Sequence, residues 1–280
     1  MRPRLLLLSA AAACAVFHVV GVLTARPIWR YAEVASLGLL LAYALASRPP
    51  RSRWALGAAL AVLLVDAFRT MPAPRDSTGY GWQVLVPGSA PETPSALESA
   101  LSLCWPAAAA VGVLLVVWRR DGWHRRWMAP GVVGAALIIG YATVRIVGIR
   151  SAVDAETPRG NDTGMADLIM AVLPPLVLGV TALALASALG GHGRRIAAIG
   201  AALLALTALP LMDTCIATVP MPLYAGSQNA VFAWHAITPT PSLPQPMPAL
   251  TAMVELTGWL LLVVGLSTSS VPTAASPAVA

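Results

Sequence analysis

Apolar residues fall along this chain in long unbroken runs, not in alternating or one-faced patterns. Eight runs stand out, at 5–24, 30–47, 54–70, 97–118, 127–149, 167–189, 196–216 and 249–267. An α-helix needs about 20 predominantly apolar residues to cross a hydrocarbon core of about 30 Å, and the runs cluster near that length. They are apolar nearly all round, which marks helices surrounded by lipid or by one another, not amphipathic surface helices. The predicted fold is therefore all-α: a polytopic integral membrane protein of about eight transmembrane helices, forming one bundle over 1–267.

The connections orient it. Arg2 and Arg4 precede the first run, and Arg48, Arg51 and Arg53 separate the second from the third. Arg119, Arg120, Arg125 and Arg126 separate the fourth from the fifth, and Arg194 and Arg195 the sixth from the seventh. Short Arg-rich connections stay in the cytoplasm, so both termini are expected inside. The alternate connections 71–96, 150–166 and 217–248 are longer and carry Asp76, Glu92, Asp154, Glu156 and Asp162; these are expected outside. Trp54, Trp118, Trp123 and Trp127 fall at the expected cytoplasmic interface, as an aromatic belt does.

The 217–248 segment is Pro-rich and reads as an irregular extracytoplasmic loop, with room for a short interfacial helix near Ala225–Ala236. The 268–280 tail reads as disordered and cytoplasmic. The first run, behind Arg2 and Arg4, also has the outline of a signal peptide. It is longer than the usual 7–15-residue apolar core and lacks the small residue expected three positions before a cut at Ala25, so it is read as a retained span.

Composition agrees. Hydrophobic residues make up 58% of the 280 positions and charged residues 11%, against roughly 25% charged in ordinary soluble domains. Every basic residue is Arg. With abundant Ala, Gly and Pro, that usage fits the codon bias of a GC-rich bacterial genome, so with the apolar runs a bacterial plasma membrane is the expected location. The absence of Lys excludes a Schiff-base lysine. The net charge of +6 resides mainly in short loops that set topology, so no nucleic-acid partner is expected. Cys14, Cys104 and Cys215 occur singly, without metal-ligand spacing, and read as small buried hydrophobes.

Polar residues within the runs are lopsided. The cytoplasmic halves are almost uniformly apolar, whereas the outer halves hold His18, Glu33, Asp66, Arg69, Glu98, Tyr141, Arg145, Asp167, Asp213 and Glu255. A charge at the bilayer centre costs at least about 2.5–3.5 kcal/mol on insertion scales. These groups must therefore pair, reach the interface, or line a wet cavity, and the expected arrangement is an outward-facing polar, acidic pocket sealed on the inside. Glu98 follows Ser95 in a capping-box pattern, and Asp167 begins a helix where the dipole favours it. Glu33 lies close to Arg30.

Asp66 and Asp213 lie near the outer C-terminal ends of helices, where the dipole disfavours a carboxylate. Asp66 can pair with Arg69 at i+3, and Asp213, just past Pro210, with Arg145 of the fifth run. Glu255 is too deep for a cap. Asp213, Glu255 and Asp66 are thus the candidate catalytic groups, with Arg145, Arg69 and His18 as candidate substrate-binding groups. A metal pair of His18 and His235, with Met212, Cys215, Met221 and Met247 nearby, has no specific spacing. Neither a metal nor another cofactor is expected, and no P-loop, HExxH, GxSxG or paired acidic Mg²⁺ motif is present.

Three functions fit this pattern. The first is a membrane-embedded enzyme using carboxylate acid–base chemistry on a lipid-like or isoprenoid substrate. The alternatives are a transporter or permease component, against which the dry inner halves argue, and a non-catalytic scaffold or assembly factor. The expected partners are the bilayer, a lipid-like small molecule and a membrane partner subunit.

Overall fold

The computed structural model describes residues 2–24, 26, 30–46, 50–69, 96–121, 125–156, 163–218 and 246–267. Among them α-helix is the only regular secondary structure. The eight helices are α1 (Arg2–Leu23), α2 (Arg30–Ala46), α3 (Pro50–Arg69), α4 (Ala96–Asp121), α5 (Arg125–Glu156), α6 (Thr163–Gly191), α7 (Arg195–Thr218) and α8 (Pro246–Ser267). Each corresponds to one apolar run.

Five of them are long and apolar enough to cross a membrane, over Pro3–Leu23, Trp127–Ser151, Leu168–Gly191, Arg195–Ile216 and Pro246–Ser267. The apolar parts of α2 and α4 are shorter, Tyr31–Ala46 and Cys104–Val117. In α3, Asp66 and Arg69 occupy the last turn. The expected loop 217–248 (beyond Thr218 and before Pro246), with its interfacial helix, and the 268–280 tail lie outside the described residues, as do the side chains of Glu98 and Asp167.

The boundaries differ from the apolar runs where polar residues continue a helix past the lipid-compatible stretch. α5 runs through Asp154 to Glu156, 32 residues in all, or roughly 48 Å at 1.5 Å per residue. Hydropathy registers only the part suited to hydrocarbon. α8 begins at Pro246, ahead of the apolar run 249–267. A proline at the first helical position costs nothing, because its missing N–H would have no partner there.

Seven helices pack as a closed ring in the order α1, α2, α3, α4, α6, α7, α8 and back to α1. α5 stands outside, against α6 and the edge of α7. The ring is drawn tight by small residues. A Cβ on Gly200 of α7 would lie 2.5 Å from the Leu262 nitrogen and 2.6 Å from the Gly258 oxygen of α8, and Gly265 lies as close to the Ala197 backbone. Small residues let backbones touch where lipid supplies no hydrophobic drive for association. α5 uses the same device, with Gly131 against Ser187 and Gly134 against Leu183 of α6.

The turn from α6 to α7 is closed by Gly193, at φ +72°. The Arg194 N–H donates to the Leu189 carbonyl and the Gly193 N–H to the Gly190 carbonyl, a Schellman arrangement that satisfies the last carbonyls of α6.

The outer surface is apolar. Leu5, Leu6, Val16 and Phe17 of α1, and Val132, Val133, Leu137, Val144 and Val147 of α5, are each more than half exposed. An apolar exterior of this extent is compatible with a membrane location. Hydroxyls within the helices, such as Thr143, Ser187, Thr207 and Thr214, donate to carbonyls of their own helix. Ser36 instead donates across to the Ala11 carbonyl at 3.0 Å, fastening α2 to α1.

Candidate functional site

The polar residues of the helices separate into two clusters. The larger lines a cleft of about 70 Å³ between α1, α2, α3, α4 and α8, with His18, Glu33, Asp66, Glu255 and Trp259 contributing its polar groups and Leu37, Leu63, Pro106 and Leu256 among its apolar walls. His18 comes five residues before the end of α1, Glu33 from the first turn of α2, Asp66 from the last turn of α3, and Glu255 from the tenth position of α8. Because successive helices alternate in direction, these positions meet at one end of the bundle.

Each side chain is held differently. The His18 ring is buried, its Nε2 3.7 Å from the Glu33 carboxylate, which is 30% exposed. Glu33 also profits from the N-terminal dipole of α2. The expected pairing of Glu33 with Arg30 lies outside the described residues. Glu255 accepts a hydrogen bond from the indole of Trp259, one turn along α8, and that indole is almost wholly buried. Asp66 feels the positive charge of Arg69, whose guanidinium lies 5.8 Å from the centre of the Trp105 ring on α4, a cation–π distance.

The balance of charge is uneven. Glu33 repels Asp66, and both repel Glu255. Three carboxylates thus share one cleft with one histidine and a nearby arginine. They do not form a metal cage: among the described residues no three His, Cys, Asp or Glu side chains are placed to hold one ion. Such a set, separated by space for a few waters, is suited to giving and taking protons.

The second cluster lies where α5 crosses α7. Arg145 Nε donates to Asp213 Oδ1 at 2.8 Å, and the Tyr141 hydroxyl donates to Oδ2 at 2.8 Å. The structure therefore pairs Asp213 with Arg145, as their positions suggest, and assigns Asp213 to a different place from Glu255 and Asp66. Tyr141 and Arg145 stand one turn apart on α5, so one helix face supplies both donors.

No known family, curated protein or solved structure matches this chain. The site rests on its geometry alone.

The sequence points to a shared polar pocket and to His18, Glu33, Asp66 and Glu255 among its candidates, but it does not separate Asp213 from them and gives no place to Trp259. A signal for Trp259 was present: it lies four residues after Glu255, and residues at that spacing share a helix face.

Proposed function

We propose that all eight helices cross a bacterial plasma membrane with both termini inside, that the cleft opens outward, and that its carboxylates carry out acid–base chemistry on the polar end of a lipid-like substrate. The observation that carries this reading is the convergence of Glu33, Asp66, Glu255 and His18 from four helices on one cleft. Packing does not call for it. Ionic groups that merely hold helices together balance one another, as Arg145 and Asp213 do, whereas surplus carboxylates in a low-dielectric site weaken the fold. Among neighbouring carboxyl groups, one can donate a proton while another accepts one.

The small volume limits what enters. Pockets that enclose whole ligands measure about 300–1,000 Å³. A cleft of about 70 Å³ takes only the reacting end of a lipid, whose chains would stay in the bilayer. The same volume favours a second reading, proton-coupled transport, in which protons and waters are the only occupants.

A hydrophobic carbodiimide, to which protonated carboxyl groups in apolar surroundings add to form an O-acylisourea that rearranges to a stable N-acylurea, tests the site directly. Peptide mapping of the labelled protein is expected to find adducts at Glu255 or Asp66, lost in Glu255→Gln and Asp66→Asn. Labelling confined to the loop carboxylates defeats the proposal. Proton flux in proteoliposomes that is abolished by the same substitutions selects transport over catalysis.

A further inference from the structure

The Arg145–Asp213 cluster lies apart from the cleft and is built differently. A guanidinium has five N–H donors, and among the described residues Arg145 uses one of them, through Nε to Asp213. The four N–H bonds on its two terminal nitrogens are uncommitted to any described residue, and the side chain is 43% exposed. Asp213 is 42% exposed. A carboxylate has about four lone-pair sites, and Arg145 and Tyr141 occupy two of these. The pair is thus a neutral dipole with spare donors at one end and spare acceptors at the other.

Its surroundings are lipid-like. α5 is the helix outside the ring, and Val144 and Val147, beside Arg145, are 69% and 58% exposed. Arg145 stands six residues before Ser151, the end of the apolar segment of α5, or roughly 9 Å along the axis. That depth is still hydrocarbon, but a side chain as long as arginine reaches from it toward the glycerol and headgroup layer. Donors left without acceptors there are costly, and an arginine satisfies them by reaching for the interface.

We propose that this cluster binds the headgroup of an aminophospholipid, with the phosphodiester on the terminal nitrogens of Arg145 and the primary ammonium on Asp213. Net charge decides between lipid classes. An anionic headgroup with a neutral polar end would meet the Asp213 carboxylate without an ammonium to offset it. A zwitterion with N–H donors matches both ends of the dipole. Tyr141 acts as a positioning residue, holding the carboxylate so that its remaining lone pairs face outward. The inference rests on the membrane placement of α5 and not on the acidic cleft, so failure of one leaves the other standing.

The test is native mass spectrometry of the delipidated full chain in detergent, titrated with phosphatidylethanolamine, phosphatidylcholine and phosphatidylglycerol of identical acyl chains. Wild type should bind phosphatidylethanolamine about tenfold more tightly than phosphatidylglycerol. Phosphatidylcholine, whose quaternary ammonium lacks N–H donors, should fall between them. Arg145→Gln should lose about tenfold of the phosphatidylethanolamine affinity, whereas Arg150→Gln, which removes an equal charge five residues along the same helix, should change nothing. Asp213→Asn retains a carbonyl for Arg145 and keeps the question open to test if Arg145→Gln does not fold; it should erase the preference for ethanolamine over choline. Phosphatidylglycerol bound as tightly as phosphatidylethanolamine, equal losses in the two arginine variants, or an unchanged ethanolamine preference in Asp213→Asn overturns the proposal.

Discussion

Replacing Gly200 with alanine isolates the contact between α7 and α8. The added methyl would sit 2.5 Å from the Leu262 nitrogen, 2.6 Å from the Gly258 oxygen and 3.1 Å from the Leu261 carbonyl carbon. All three are backbone atoms of the facing helix, so no side chain can swing aside. Restoring an ordinary contact of about 3.5 Å requires the helix axes to part by roughly 1 Å. Overpacking costs about 1–3 kcal/mol, and a backbone-limited case belongs at the upper end. Alanine recovers about 1 kcal/mol of helix propensity, leaving a net loss of about 2 kcal/mol.

Gly112 of α4 provides the opposite case, because a Cβ there meets nothing within 4 Å. Gly112→Ala should therefore stabilise, by at most about 1 kcal/mol. Gly258→Ala should fall between the two, since its nearest neighbours are the Leu204 side chain at 2.9 Å and the Gly200 oxygen at 3.0 Å. Reversible unfolding by a denaturing detergent in mixed micelles, followed by circular dichroism, ranks the three variants. If Gly200→Ala matches or exceeds wild type, the close approach of α7 and α8 is wrong.

Other substitutions probe separate features. Gly193→Ala forces an L-residue into the left-handed conformation that closes α6 and should cost about 1 kcal/mol, with Gly193→Asn costing less; thermal melts read both. Trp259→Phe removes the indole donor to Glu255 and should destabilise by about 1 kcal/mol while altering carbodiimide labelling at Glu255; unchanged stability and labelling would show the bond to be inconsequential. In a cysteine-free background, Asp76→Cys and Asp162→Cys should react with an impermeant maleimide on intact cells, and His192→Cys only after permeabilisation. The reverse pattern would invert the proposed orientation.

The places of the helices were legible because a long, all-round apolar helix has one signal, sustained hydrophobicity, that local sequence carries in full. Their neighbours were not. Helices apolar all round do not declare which face meets which partner, so neither the ring nor the exclusion of α5 from it can be read from hydropathy. The Arg145–Asp213 pairing was anticipated because each residue needed an opposite charge at the same depth. Depth could also have joined His18 to Glu33, since they flank the α1–α2 connection at nearly equal distances from their helix ends. What depth cannot decide is azimuth, and for that reason the sequence groups Asp213, which also falls toward the expected outer end of its helix, with residues from which the fold separates it.

The meeting of α8 with α1 has a bearing on biogenesis. On the proposed membrane placement, a nascent chain would insert α1, α2 and α3 first and bring His18, Glu33 and Asp66 into the bilayer long before Glu255 emerges from the ribosome. Until the final helix docks, that wall of the cleft would lack its α8 side. Truncated products would then carry a charged seam inside the bilayer, a mark by which membrane proteases would distinguish them from finished molecules.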